Sequence, residues 1–277
     1  MKLDLLPDDC FAHILSFTSP KDACRLSIVS SELQSSADSD SVWEKLLPPD
    51  YLDTISRLTS PWSWKTKKEL FFRSCDPHFI DIGRKIISLD KSTGKKVHVL
   101  SSRELSISWA TNPLYWSWKS YIHSRFSEVA ELRTICWLQI NGKFNTENLS
   151  PKTLYGAYLI VKFASRAYGL DTLPSEVFVK VGNFISQAKI FLRRRQRKIE
   201  NSEKNVRILN RIEASRFNDE SNRVCERKDG WIEIELGSFY NDAREDKKDI
   251  EMGLKEVTGE HLKGGLIVEG IEIKPKK

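Results

Sequence analysis

Residues 104–138 read ELSISWATNPLYWSWKSYIHSRFSEVAELRTICWL, and four of the chain's eight tryptophans fall here: Trp109, Trp116, Trp118 and Trp137. Leu105, Ile107 and Trp109 alternate with Ser106, Ser108 and Ala110, the two-residue period of a strand. Asn112-Pro113 breaks that strand, and a second aromatic strand, LYWSW, follows at once. Trp109 and Trp116 therefore flank one turn. Indole rings either fill a core or form platforms against which a flat, hydroxylated ligand such as a sugar stacks. Both readings stand for Trp109 and Trp116. Asn112 between them, Glu233 and the loop from Lys255 to Lys263 are candidate polar partners for sugar hydroxyls, and the sequence does not choose among them. Trp118 lies further into its strand and reads as packing. Trp137, inside the apolar run ICWLQI, reads as core.

Downstream the β pattern continues. VHVL (97–100), LYGAYLIVKFA (154–164), EVFVKVG (176–182), WIEIEL (231–236) and GLIVEGIEIKP (265–275) are short apolar or alternating runs. The second is nearly all apolar, as in a strand buried on both faces. In WIEIEL, Ile232, Ile234 and Leu236 share one face, with Trp231, Glu233 and Glu235 opposite. Many short strands with Gly, Asn and Pro between them indicate a β-sandwich. A further strand is expected around Val129, Leu132, Ile135, Trp137 and Leu138.

Upstream the chain turns helical. Asp8 and Asp9 follow Leu6-Pro7, which suits a helix start. Ser19-Pro20-Lys21-Asp22 supplies an N-cap and a first-turn proline. Ser41-Val42-Trp43-Glu44 reads as a capping box. A unit this small rarely buries enough surface to stand alone, so it either caps the next domain or docks on a partner. Between helices and strands, Trp62, Trp64, Leu70, Phe71 and Phe72 interleave with Lys65, Lys67 and Lys68. This reads as an amphipathic helix with lysine stems laid along it. The expected division is residues 1–49 for the helical unit, 50–92 for a partly helical connector, and 93–277 for the sandwich. A highly charged insertion is expected at about 187–229, and its run Arg193–Lys198 fits a nuclear-localisation patch or a plain solvated loop.

Composition narrows the function classes. The 277 residues are 40% hydrophobic and 30% charged, with a formal net charge of +6, so a soluble globular chain is expected and nucleic-acid binding has only weak support. No apolar run is long enough for a membrane span. The start MKLDLLPDDC has no signal-peptide core, and the five scattered cysteines form no CxxC pair, which suits a reducing compartment. There is no HExxH and no GxSxG. Ser92-Thr93-Gly94-Lys95-Lys96 resembles a phosphate loop only superficially. Glu233 and Glu235 are more simply a polar strand face than an acid–base pair. Nothing points to catalysis, a metal or a cofactor.

Two resemblances overlay this reading. Residues 6–30, with LPDD, ILSF and SPKDA, resemble an F-box, and SSADSDSVWEKLLPPDY (35–51) resembles the plant F-box proteins that carry a phloem-protein-2-like (Nictaba-type) lectin domain. SPWSWKTKKELFFRSCDPHFID (60–81) fits the same family. Ser31 and Leu33 depart from its pattern, where a basic residue and a bulky aromatic are usual. The blocks KKVHVLSSRELSISWATNPLYWSW, SRFSEVAELRTICWLQINGKF, LSPKTLYGAYLIVKFA, DGWIEIELGSFYND and GGLIVEGIEIKPK are similar to successive blocks of the phloem-protein-2 domain, in order. The resemblance implies a multidomain α + β chain, a small F-box helical unit followed by an antiparallel, jelly-roll-like β-sandwich. It further implies docking on the Skp adaptor of a cullin–RING ubiquitin ligase, with Leu6, Pro7, Ile14, Leu15 and Leu26 as adaptor contacts. It also implies a glycan or glycoprotein target containing N-acetylglucosamine, bound by the SW…YW pair. A non-catalytic subunit located in cytoplasm and nucleus is the expectation. The rival expectations are a lectin acting without the ligase, and a protein-interaction sandwich with no sugar binding.

Overall fold

The computed structural model describes residues 8–58, 62–192, 223–242 and 247–276. The patch Arg193–Lys198 and most of the charged insertion lie outside the described residues.

Six short helices open the chain: α1 (Asp8–Leu15), α2 (Pro20–Leu26), α3 (Ser31–Asp38), α4 (Asp40–Leu46), α5 (Tyr51–Ser56) and α6 (Lys67–Ser74). Their starts are written in hydroxyls. Ser19, Ser30, Ser39 and Thr66 accept the backbone N–H of Asp22, Leu33, Ser41 and Glu69 respectively. Pro20 occupies the first turn of α2, as expected. The third expected start is displaced: Ser39, not Ser41, caps α4. None of these helices is long enough to be stable alone. Their shared core supplies the stability: Leu15, Ala37, Val42, Trp43, Leu47, Leu70 and Phe71 are all buried together. Trp43 donates its indole N–H to the Ala37 carbonyl at 2.7 Å, which removes the cost of burying that donor.

Fourteen strands follow among the described residues. They are β1 (His78–Ile80), β2 (Lys85–Leu89), β3 (Lys96–Ser101), β4 (Ser106–Ile107), β5 (Trp116–Lys119), β6 (Val129–Leu132) and β7 (Leu138–Asn145), then β8 (Thr153–Tyr168), β9 (Ser175–Val181), β10 (Phe184–Ile190), β11 (Val224–Glu226), β12 (Ile232–Asn241), β13 (Asp249–Glu256) and β14 (Gly264–Pro275). They form two sheets with antiparallel pairing. One runs β1-β2-β3-β14-β8-β12-β11, with β6 also paired to β14 and β5 to β6. The other runs β10-β9-β13-β7-β4. The inner faces share one core, in which Leu159, Val161, Ile234, Leu236, Ile271 and Ile273 meet Val177, Val179, Leu138, Ile140, Met252 and Leu254. The unbroken apolar run of β8 has the expected cause. Tyr155, Ala157, Leu159 and Val161 face the main core, while Tyr158 and Ile160 belong to a smaller cluster on the outer face.

Three expectations change. The expected strand 104–109 shrinks to β4, because a turn of 3-10 helix at Ser102–Glu104 precedes it and Trp109 adopts φ 57, in the left-handed region where a strand cannot continue. The expected strand over 129–138 is two, β6 and β7, in different sheets. The span 50–92, read as a connector, already contributes β1 and β2 to the larger sheet.

The helical unit is packed onto the sandwich. Leu89 of β2 sits in the helical core. Lys96 of β3, only 4% exposed, pairs with Asp50, and Arg57 pairs with Asp81 at 3.1 Å. Gly94, at φ 68 in the β2–β3 turn, lies so close that a Cβ there would stand 2.9 Å from the Leu46 carbonyl oxygen and 3.3 Å from the Phe71 ring. The lookalike phosphate loop is thus a hairpin turn. Asp90 closes it by accepting the N–H and hydroxyl of Ser92 and of Thr93.

Candidate functional site

Two surfaces carry the chemistry. The first is on the helical unit. Ile14 (52% exposed), Phe17 (75%), Ile28 (85%) and Val29 (66%) leave large apolar side chains in water at the end of α1 and after α2. Large apolar side chains left exposed on so small a unit are candidates for contact with a partner. Lys45 lies 5.2 Å from the Phe17 ring centroid and adds a cation beside it. Of the residues expected to touch an adaptor, Ile14 is on this surface. Leu15 is corrected: it is 2% exposed inside the helical core, so its work is folding. Leu26 is half-buried against the same core. Leu6 and Pro7 lie outside the described residues. Phe17 and Val29 are not among the expected adaptor contacts; both are apolar side chains that follow helix ends, where the helical period no longer assigns a face.

The second surface is the aromatic turn between β4 and β5. The Asn112 amide N–H donates to the Trp109 carbonyl, and the N–H groups of Tyr115 and Trp116 both donate to the Asn112 carbonyl. The Asn112 side-chain oxygen accepts from Leu114 N–H at 3.0 Å. Asn112 therefore holds the turn through its side-chain oxygen, while its side-chain NH2 has no partner among the described residues. Trp109 stands at the start of this turn, 51% exposed, with its ring 5.9 Å from that of Tyr115. Its indole N–H has no partner among the described residues. A tryptophan at positive φ stores backbone strain, a feature that clusters at ligand sites.

Trp116 is corrected. It is 1% exposed, points into the main core and donates its indole N–H to Ser108 O at 3.0 Å. Pairing of β5 with β6 sets this direction, and no ring face is left for stacking. Trp118 packs partly buried against the same core, with its N–H on Ala110 O, as its position predicted. Trp137 is also corrected, from core to surface. Leu138 and Ile140 point inward on β7, so Trp137 must point out, and it is 43% exposed.

Next to the turn lies an open groove of about 660 Å³, bordered by Arg103, Ala110, Pro113, Ser117, Trp118 and Arg133. The Arg103 guanidinium lies 3.6 Å from the Trp118 ring centroid and is fixed by bonds of 3.0 and 2.7 Å to Glu128.

The outer face of the larger sheet is a structural counterpart. Arg125 bridges Glu269 and Glu272, while Arg227 pairs with Glu272 and Asp229. Burial by itself would raise the Glu272 carboxyl, but Arg125, Lys274 and Arg227 around it bring it down to about 2. Glu233 and Glu235 are paired with Lys274 and Lys276, at 2.7 Å each. This is a stapled polar face rather than an acid–base pair. No group of His, Cys, Asp and Glu that could hold a metal ion occurs among the described residues. No helix among them is long and apolar enough to cross a membrane.

Comparison with known proteins matches both units. The F-box domain profile covers residues 3–45, and that of phloem protein 2 covers residues 95–275. The F-box protein PP2-B15 of Arabidopsis thaliana is 44% identical over 98% of this chain and 96% of its own length. The F-box protein VBF of the same plant is 42% identical over 98% and 99%. Among solved structures, a carbohydrate-binding module that recognises mannan aligns with 70% of this chain and 99% of its own, at 8% identity and a TM-score of 0.30, a score too low to bear on the argument. With helices and antiparallel sandwich in the order these profiles require, the chain belongs to the F-box proteins that carry a phloem protein 2 domain.

Proposed function

We propose that this protein is a substrate-recognition subunit of a Skp–cullin–F-box ubiquitin ligase. Its helical unit docks on the Skp adaptor and its sandwich holds a glycosylated or other protein target. The observation that carries this reading is a helical unit that exposes Ile14, Phe17, Ile28 and Val29 and is packed against a separate β-sandwich. An F-box domain implies a Skp partner. The contribution to ubiquitin transfer is proximity: the subunit raises the effective concentration of a target lysine and makes no bond itself. Cytoplasm and nucleus, where such ligases work, are the proposed locations, read out by imaging a tagged chain.

Trp109 supports target binding through a sugar. One exposed indole with a free N–H can stack on the apolar face of an N-acetylglucosamine ring and donate to its carbonyl or hydroxyl oxygens. The burial of Trp116 removes half of the expected platform and favours, as second reading, a sandwich that binds protein surfaces without sugar.

Co-purification of the intact chain with the adaptor tests the first half. An Ile28→Asp variant, which alters only an exposed side chain, should lose adaptor binding by at least about tenfold. Unchanged binding, or no binding by the folded wild-type chain, refutes the ligase role and leaves a lectin acting alone. A neutral N-acetylglucosamine trimer tests the second half.

A further inference from the structure

We propose that the groove next to the aromatic turn binds an acidic sugar, a ring bearing a carboxylate or phosphate. This rests on the sandwich being the ligand-binding end and is independent of the adaptor.

Trp109 is not among the residues that line the groove. Its charged border residues are Arg103 and Arg133, and no carboxylate lines it. Sites for neutral sugars need acceptors for ring hydroxyls, and a carboxylate is a strong one. This groove offers donors instead. Arg133 is exposed and its guanidinium has no partner among the described residues. Its backbone is held firmly: Arg133 N–H donates to Tyr115 O at 2.8 Å, and Arg133 O accepts from the Tyr168 hydroxyl. The residue is thus a free cation on a fixed base. Arg103 spends Nε and Nη2 on a single oxygen of Glu128, which leaves Nη1 without a partner. Glu128 balances the Arg103 charge and Lys119 balances that of nearby Glu131, so Arg133 is the uncompensated charge.

The remaining wall suits a ring rather than a bare ion. Ala110, Pro113 and Trp118 give an apolar side, and about 660 Å³ is ample for a sugar. A guanidinium reads a planar carboxylate or a phosphate with two parallel bonds, which gives Arg133 its role as the selecting residue.

Titration calorimetry of the full chain would use four probes: trigalacturonate, the neutral N-acetylglucosamine trimer, inorganic phosphate and a short single-stranded oligonucleotide. Trigalacturonate is expected to bind at least about tenfold more tightly than the neutral trimer and to weaken with added salt. Arg133→Gln is expected to lower its affinity about tenfold without moving the unfolding midpoint, and Arg133→Lys to restore part of it. Equal or tighter binding of the neutral trimer overturns this inference but leaves sugar binding intact. Binding of neither sugar overturns both. Phosphate binding as tight as trigalacturonate would show a bare anion site, a tighter oligonucleotide would show a nucleic-acid surface, and an Arg133→Gln variant with wild-type affinity would remove the selecting residue. Each of these also overturns it.

Discussion

Trp109 and Trp116 are seven positions apart by number and opposite in consequence, and replacing each by a small residue separates the platform from the core. Trp116 is 1% exposed, with its N–H on Ser108 O, in the core shared by both sheets. Truncating a buried tryptophan to alanine costs about 3–5 kcal/mol, and the orphaned carbonyl adds to that. For a domain of this size each kcal/mol moves the melting temperature by about 2–4 °C, so Trp116→Ala should melt roughly 6–20 °C lower. Trp109 is half exposed, and its φ of 57 belongs to glycine. A non-glycine residue in the left-handed region carries about 1–2 kcal/mol of strain. Relief of that strain offsets the missing packing against Tyr115. Trp109→Gly should therefore melt at or slightly above the wild-type temperature, while binding the neutral N-acetylglucosamine trimer more weakly. Thermal unfolding of both variants, with calorimetric titration of the trimer, reads this out. A Trp109→Gly variant that melts 6 °C or more below wild type, or a Trp116→Ala variant that melts with it, would refute the division of labour.

The remaining predictions concern acid and the joint between the units. His98, wholly buried, is pushed down to about 3, chiefly by burial and further by Lys96, so it stays neutral in the fold. Its Nε2–H donates to Asn148 O. The unfolded chain protonates histidine near pH 6.5 and the folded chain does not, so this part of the stability is complete above 6.5 and is lost as pH falls towards 3. Glu272, held at about 2 against 4.5 when free, adds a second loss of roughly 3 kcal/mol between pH 4.5 and 2. Urea midpoints measured across that range should fall through both windows, which overlap between pH 4.5 and 3, and a Glu272→Gln variant should lose less than the wild type below pH 4.5. Gly94→Ala, which places a Cβ against Leu46 and Phe71 at positive φ, should cost at least about 2 kcal/mol in the same assay. A neutral result would mean that the helices do not press on the hairpin.

Much of this arrangement was legible in the sequence, and the failures have physical causes. The long strands β8, β9, β12 and β14 were readable because each buries many side chains in a regular alternation or a continuous run. The edge strands β1 and β11 were not, since three residues carry too little pattern to register. Trp137 could have been placed correctly by parity: with Leu138 and Ile140 inside, its neighbour had to face out. Trp116 was harder. Its direction follows from the pairing of β5 with β6 and from the tight turn at Asn112, and the one signal within its own strand is that it shares a face with Trp118, which reads as packing. Arg133 had no local signal at all, because its significance comes from what chain folding brings near it.

The packed joint bears on how the two surfaces act together. In a chain with a flexible linker, a target held by the sandwich would sweep a large volume relative to the adaptor, and its effective concentration would fall with linker length. Here Leu89 enters the helical core, the buried Lys96 pairs with Asp50, and Gly94 leaves no gap beneath Leu46 and Phe71. Separating the units would expose Leu70 and Phe71, both fully buried, so the joint resists opening by the same apolar burial that folds the helices. In the proposed ligase role, the apolar surface at Ile28 and the groove at Arg133 then hold one fixed mutual geometry. The set of target lysines within reach is decided by where the ligand attaches to the target rather than by tether slack. A rigid joint of this kind predicts modification of few lysines per target, and the Gly94→Ala variant, which strains the joint without touching either surface, should broaden that set while leaving both binding steps unchanged.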